Sequence, residues 1–175
     1  PLDQTTYYQL LRKGGYRVAV TGKTDLHKQD KTLGLNGPLP VAYELGFTDP
    51  AGETEGKMNS AWYQTTVNGK KMGVLAALQS GRPLDGEVIG VGPYQRYLIG
   101  KNPEKLKGLC MDYAGRMGYK PTYFAAPTQL DDDEFIDNYV GRLACDYLRN
   151  VDDEAPWHLF VSFPGPHNPW DPPKS

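Results

Sequence analysis

The stretch Thr6-Tyr7-Tyr8-Gln9-Leu10-Leu11-Arg12-Lys13-Gly14-Gly15-Tyr16-Arg17-Val18-Ala19-Val20-Thr21-Gly22-Lys23 decides the fold class. Thr6 with Gln9 three residues on fits a capping box, in which a hydroxyl satisfies a first-turn amide and the glutamine reaches back. Tyr7, Leu10 and Leu11 fall at i, i+3 and i+4, and Gly14-Gly15 supplies a left-handed stop. Tyr16 to Thr21 then reads as a strand apolar enough to be buried on both faces, and Gly22-Lys23 opens a polar loop. Helix, turn, strand and loop make an α/β unit, whose functional groups gather in loops at the carboxyl ends of strands.

The C-terminal part repeats the pattern. Phe135, Ile136, Tyr139, Val140, Leu143, Ala144, Tyr147 and Leu148 trace a helical stripe from about Glu134 to Arg149, capped by one of Asp131 to Asp133. The apolar run His158 to Phe163 predicts a second strand, and Pro164-Gly165-Pro166-His167-Asn168-Pro169 breaks regular structure after it. In between, Asn102 and Pro103 open a helix that carries Leu106, Leu109, Cys110, Tyr113 and Met117 on one face. Val67-Asn68-Gly69-Lys70 predicts a hairpin between Trp62 to Val67 and Lys70 to Leu75.

The chain has 175 residues, enough for one domain or part of one, and 19 Lys and Arg against 21 Asp and Glu. A formal charge of -2 offers no basic face to phosphate backbones, so no nucleic-acid partner is expected. The longest apolar stretch, Val74 to Leu78, is far short of the ~20 residues of a membrane helix, so no membrane partner is expected. Cys110 and Cys145 stand on separate segments with no neighbouring histidine, and both are expected in the core. The 20 Gly and 15 Pro imply much turn and loop. A start at Pro1 without methionine and a stop at Ser175 after a Pro-rich run suggest an excised piece of a longer chain.

No serine sits in a Gly-x-Ser-x-Gly elbow and no Gly-rich phosphate loop is present. Of the three histidines, His27 follows the first strand, together with Lys23, and His167 follows the second. Lys23, His27 and His167 are therefore the candidate site residues: cationic groups that meet if both strands belong to one sheet.

Leu10 to Lys23 resembles the "LL-x-x-x-GY-x-T-x-x-x-GK" segment of the sulfatase family, within the alkaline-phosphatase-like superfamily. Leu45-Gly46-Phe47-Thr48-Asp49 is similar to its Gly-Phe-Asp element, and His158 to Pro173 to its "FFL-x-x-SF-x-x-PH-x-P-x-x-PP" segment, in family order. The resemblance implies an α/β three-layer sandwich with a mostly parallel sheet, alkaline-phosphatase-like and incomplete, with residues 1–175 the central part of one catalytic domain and no separate second domain. It implies a sulfuric ester hydrolase acting on a small-molecule or glycan sulfate ester, with calcium or another divalent cation and a formylglycine nucleophile in the parent enzyme. Lys23 would contact sulfate and the formylglycine, and His167 would bind sulfate near the ester oxygen.

Two departures stand out. The family histidine two residues after the lysine is here Asp25. Either the loop carries an insertion and His27 takes the role, or Asp25 substitutes; His27 is preferred because an imidazole can take up and release a proton near neutrality. The second is that neither cysteine stands in a Cys- or Ser-x-Pro/Ala-x-Arg motif, and the metal-binding aspartates have no match, so no metal ligand is assigned and the chain is expected to be inactive alone. A phosphonate monoester or phosphodiester hydrolase of the same superfamily, and a non-catalytic glycan-binding module using Tyr- and Trp-bearing loops, are the alternatives. A periplasmic or secreted location follows if a preceding segment carries a signal peptide, and exposed sheet edges of such a piece would favour a homo-oligomer.

Each residue also has a structural explanation. A strand-end lysine is ordinarily solvated, His158 abuts a strand and reads as structural, and Asp131-Asp132-Asp133 lies at a helix start where cap and dipole account for it. Trp62, Trp157 and Trp170 read as packing around loops.

Overall fold

Strand β1 (Arg17–Gly22) is the middle of a parallel sheet, flanked by β2 (Gly52–Glu53) and β5 (Trp157–Ser162). The computed structural model describes residues 3–24, 26, 41–49, 52–54, 56–57, 64–67, 70–73, 92–118, 125–152 and 154–174. These fall into two compact units, Pro1–Thr54 with Asp137–Pro164, and Glu55–Ile136 with Gly165–Ser175. The α/β class with a parallel sheet is thus present.

In the first unit, helix α1 (Tyr7–Lys13) begins as its sequence dictates. The Thr6 hydroxyl accepts from the Gln9 amide at 3.0 Å, and the Gln9 side chain accepts from the Thr6 amide at 2.8 Å. Gly15, at φ +85°, supplies the left-handed stop; Gly14 does not need it. The Thr6 hydroxyl also donates to the Leu45 carbonyl at 2.6 Å, tying the helix start to the segment after the short helix α2 (Val41–Glu44). Thr6→Ala removes both bonds and is expected to cost about 1–2 kcal/mol, read as a lower urea midpoint. Thr6→Ser should recover most of it.

Val18 and Val20 of β1 form a core with Leu45 and Phe47, against which Tyr8, Leu11, Leu26 and Phe160 pack. Ala19 and Thr21, pointing the other way, are buried too, which is why this strand shows no polar alternation. The strand is displaced by one residue from the expected Tyr16–Thr21, because the Arg17 amide donates to the Pro156 carbonyl at 2.8 Å and Tyr16 stays in the turn. In the same register β5 runs Trp157–Ser162 rather than 158–163, and Phe163 is left exposed. Among the described residues β5 is an edge strand and only half-buried.

Gly46, at φ +112°, lets Leu45 and Phe47 reach the core, since a Cβ there would stand 2.3 Å from the Gln9 amide nitrogen. Asp49 binds the Arg17 guanidinium at 3.1 Å and accepts from the Tyr147 hydroxyl at 2.7 Å. The Gly-Phe-Asp resemblance is therefore carried by residues with packing and clamping roles. Burial, then Asp49, hold the Tyr147 phenol well above its ordinary range, so it stays a donor.

Helix α5 (Ile136–Asn150) starts two residues later than the sequence stripe suggests. The acidic run forms its own 3-10 turn, Asp132–Glu134, in which the Glu134 carboxylate accepts from the Asp131 amide at 3.0 Å. Along α5, Val140 is fully buried, whereas Cys145 lies on the exposed side, contrary to the expectation of a core position. The helix face spans about a third of the circumference, and Cys145 falls just outside it.

In the second unit, helix α4 (Pro103–Gly118) is capped by the Asn102 side chain, which accepts from the Glu104 amide at 3.0 Å. Its Leu106, Leu109, Cys110 and Tyr113 are buried, as the spacing predicts. Helix α3 (Pro93–Lys101) was not anticipated; Gly92-Pro93 with Gln95 is its start signal, the glutamine accepting from the Gly92 amide at 3.3 Å. The hairpin is present as β3 (Gln64–Val67) and β4 (Lys70–Gly73), with Val67 opposite Lys70. Among the described residues no helix is long and apolar enough to cross a membrane.

Candidate functional site

Lys23 leaves β1 through Gly22, whose geometry admits no other residue. Gly22 has φ +89°, and a Cβ there would lie 1.8 Å from the Ser162 carbonyl oxygen. That approach lets the Lys23 amide donate to the same carbonyl at 3.1 Å, so the exits of β1 and β5 are bonded to each other. On the other side the Thr54 amide donates to the Gly22 carbonyl at 2.8 Å. Three strand exits thus meet at the carboxyl edge of the parallel sheet, where α/β folds place their ligands. The buried hydroxyls of Thr21 and Thr54 have no hydrogen-bond partner among the described residues. Asp25 and His27, the rivals for the second position, lie outside the described residues, as does Trp62.

His167 belongs to the second unit and is exposed. Its Nδ1 is 2.6 Å from the Asn168 carbonyl oxygen. A carbonyl only accepts, so Nδ1 carries the proton and Nε2 is the nitrogen left for another partner. The other histidine described, His158, is enclosed by Tyr7 and Tyr8, with ring centroids at 5.4 and 6.1 Å, and its role is packing.

The segment after His167 is held by a cluster that the sequence reading missed. Asp171 is 1% exposed; it pairs with Lys57, itself 4% exposed, and accepts from the Tyr113 hydroxyl at 2.6 Å. Arg116 donates to the carbonyls of Ala126 and Trp170 at 2.9 Å and of Pro127 at 3.2 Å, and binds Asp112 at 2.9 Å. The Ala126 and Thr128 amides donate to the Trp170 and Pro172 carbonyls at 3.2 and 2.9 Å. A signal was available: prolines at 166, 169, 172 and 173 have no N–H, so this stretch cannot satisfy its own carbonyls, and a buried arginine brings several donors. Burial raises the Asp171 carboxyl above its usual range, against the pull of Lys57 and Tyr113. Burial foremost, and then Asp171, push the Tyr113 phenol well up, which keeps it the donor in their bond.

Three of the four carboxylates of the acidic run hold lysines. Asp133 is engaged by Lys101, and Asp131 and Glu134 hold Lys105 at 2.9 Å each. Among the described residues no group of three or more His, Cys, Asp or Glu is arranged to hold a metal ion. No family model, no curated protein and no solved structure matches the chain.

Proposed function

We propose that the chain supplies sulfate-binding groups of a sulfatase-type hydrolase acting on the sulfate ester of a small molecule or glycan, and that Lys23 and His167 are residues of this chain with that role. The observation that carries this reading is the exit of β1, where Gly22 brings the Lys23 amide onto the Ser162 carbonyl at the end of β5; His167 follows β5 in the sequence. The unpartnered hydroxyls of Thr21 and Thr54 at the same strand ends add polar groups that a bound anion or its water would satisfy. His27 is the residue the resemblance sets beside Lys23.

On this reading Lys23 contributes a compact positive charge and His167 a directional donor. When protonated at both nitrogens, His167 would donate from Nε2 to a sulfate oxygen, while the Nδ1–H bond to Asn168 keeps the ring oriented. The sheet then belongs to a three-layer, alkaline-phosphatase-like sandwich. The described residues do not fit the calcium site of the family, because no three His, Cys, Asp or Glu among them are grouped to hold a metal ion and three of the four carboxylates of the acidic run hold lysines. Neither cysteine fits a formylglycine position, Cys110 being buried in α4 and both lacking the motif. No step is derived through either group, and the purified chain is expected to bind sulfate without hydrolysing its esters.

Calorimetric titration with sodium sulfate at fixed ionic strength tests this. Lys23→Ala and His167→Ala should each weaken binding roughly tenfold or more, the scale of a charge-assisted hydrogen bond. Absence of sulfate binding by the unaltered chain, or binding indifferent to both substitutions, would overturn the reading.

A further inference from the structure

His167 is exposed, yet its turn is closed by one side chain. The Trp170 indole N–H donates to the Pro166 carbonyl at 3.1 Å, one residue before His167. Trp170 is itself fixed through its main chain: its carbonyl accepts from both Arg116 at 2.9 Å and the Ala126 amide at 3.2 Å. The next residue, Asp171, is sunk into the pair with Lys57 and the bond from Tyr113. A buried ion pair is an expensive way to gain stability, since apolar residues of similar volume often serve as well, but it fixes geometry. Here the geometry fixed is that of a chain end leading straight into the His167 turn, where an exposed loop would otherwise sample many conformers.

We infer that Trp170 is a positioning residue: braced by the buried Lys57, Asp171, Tyr113 and Arg116 cluster, its indole holds the turn in which His167 Nδ1–H stays bonded to Asn168 and Nε2 stays out of that bond. The use of that Nε2 rests on the sulfatase reading; the tautomer lock does not. Phenylalanine at 170 would keep most of the ring and remove only the donor.

Long-range proton–nitrogen spectra of the labelled, ligand-free chain, above the imidazole titration, read the tautomer of each histidine. His167→Gln assigns the signal, and His158, packed between tyrosines, is the internal control. The unaltered chain is expected to show His167 mainly as the Nδ1–H form. Trp170→Phe should lower the ratio of Nδ1–H to Nε2–H about fivefold, the equilibrium worth of one net hydrogen bond, with His158 unchanged. Arg116→Lys keeps the charge but loses the fork and should shift the ratio in the same direction; if it does not fold, Trp170→Phe decides alone. An Nε2–H form in the unaltered chain, or a ratio unmoved in Trp170→Phe, overturns the inference. Sodium sulfate added below the imidazole titration, where Nε2 also carries a proton, separates the two readings: a lock present above the titration with His167 signals that ignore sulfate below it would reject the sulfatase reading and leave the positioning role standing.

Discussion

Gly22→Ala is expected to be the most destabilising single substitution in the first unit. Left-handed backbone alone costs a residue with a side chain about 1–2 kcal/mol. A Cβ also cannot coexist with the Ser162 carbonyl oxygen 1.8 Å away, or with the Ser162 carbonyl carbon at 2.7 Å, so the exits of β1 and β5 must part and the Lys23 bond is lost. The total is expected above about 4 kcal/mol, in the range reserved for severe mechanisms. Gly15→Ala is the control, because Gly15 has a similar φ of +85° but nothing within 4 Å of a new Cβ. Urea unfolding of the two variants separates clash from backbone strain, and equal losses would refute the close approach.

The second large effect lies in the other unit. Asp171→Ala removes the carboxylate paired with the Lys57 ammonium, 4% exposed, and the acceptor of the Tyr113 hydroxyl. Breaking a buried pair from one side typically costs about 3–5 kcal/mol, because the remaining charge stays desolvated. Replacing the set together by apolar groups, Lys57→Met with Asp171→Leu and Tyr113→Phe, should recover most of that loss, since no orphan remains. Urea midpoints measure both. A mild loss in Asp171→Ala, or no recovery in the triple variant, would mean that the pair is not desolvated as the structure shows.

The sign of the pH effect follows from the same site. The folded carboxyl of Asp171 is raised, mainly by burial, so between its unfolded and folded values the unfolded state holds fewer protons. Its share of stability is thus full below the ordinary aspartate range and declines as pH rises through the elevated value. Asp171→Asn should flatten that decline.

How much of this was legible depends on the range of the interactions. Helix α1, with its Thr6–Gln9 box, and the face of α4 were readable because their causes lie within a turn or two of sequence. The strands were readable as elements but not to the residue, since register came from pairing between Arg17 and Trp157, far apart in the chain. The start of α5 was misplaced because Asp131, Asp133 and Glu134 had partners, Lys101 and Lys105, that a linear reading does not bring near. The buried Lys57–Asp171 pair was invisible for the same reason, and only the lack of donors in the Pro-rich run hinted at Arg116. Of the candidate residues, Lys23 emerged on a defined strand exit and His167 on a braced turn, while His27 lies outside the described residues.

The proposal that Lys23 and His167 both serve sulfate binding is decided by following the two side chains in a single sulfate titration. Nitrogen-detected spectra report the Lys23 Nζ and the His167 Nε2 separately in the same sample. Both groups are expected to respond to sulfate, each response being lost on substitution of its own residue by alanine. A response at only one of the two groups, or at neither, would contradict the proposal.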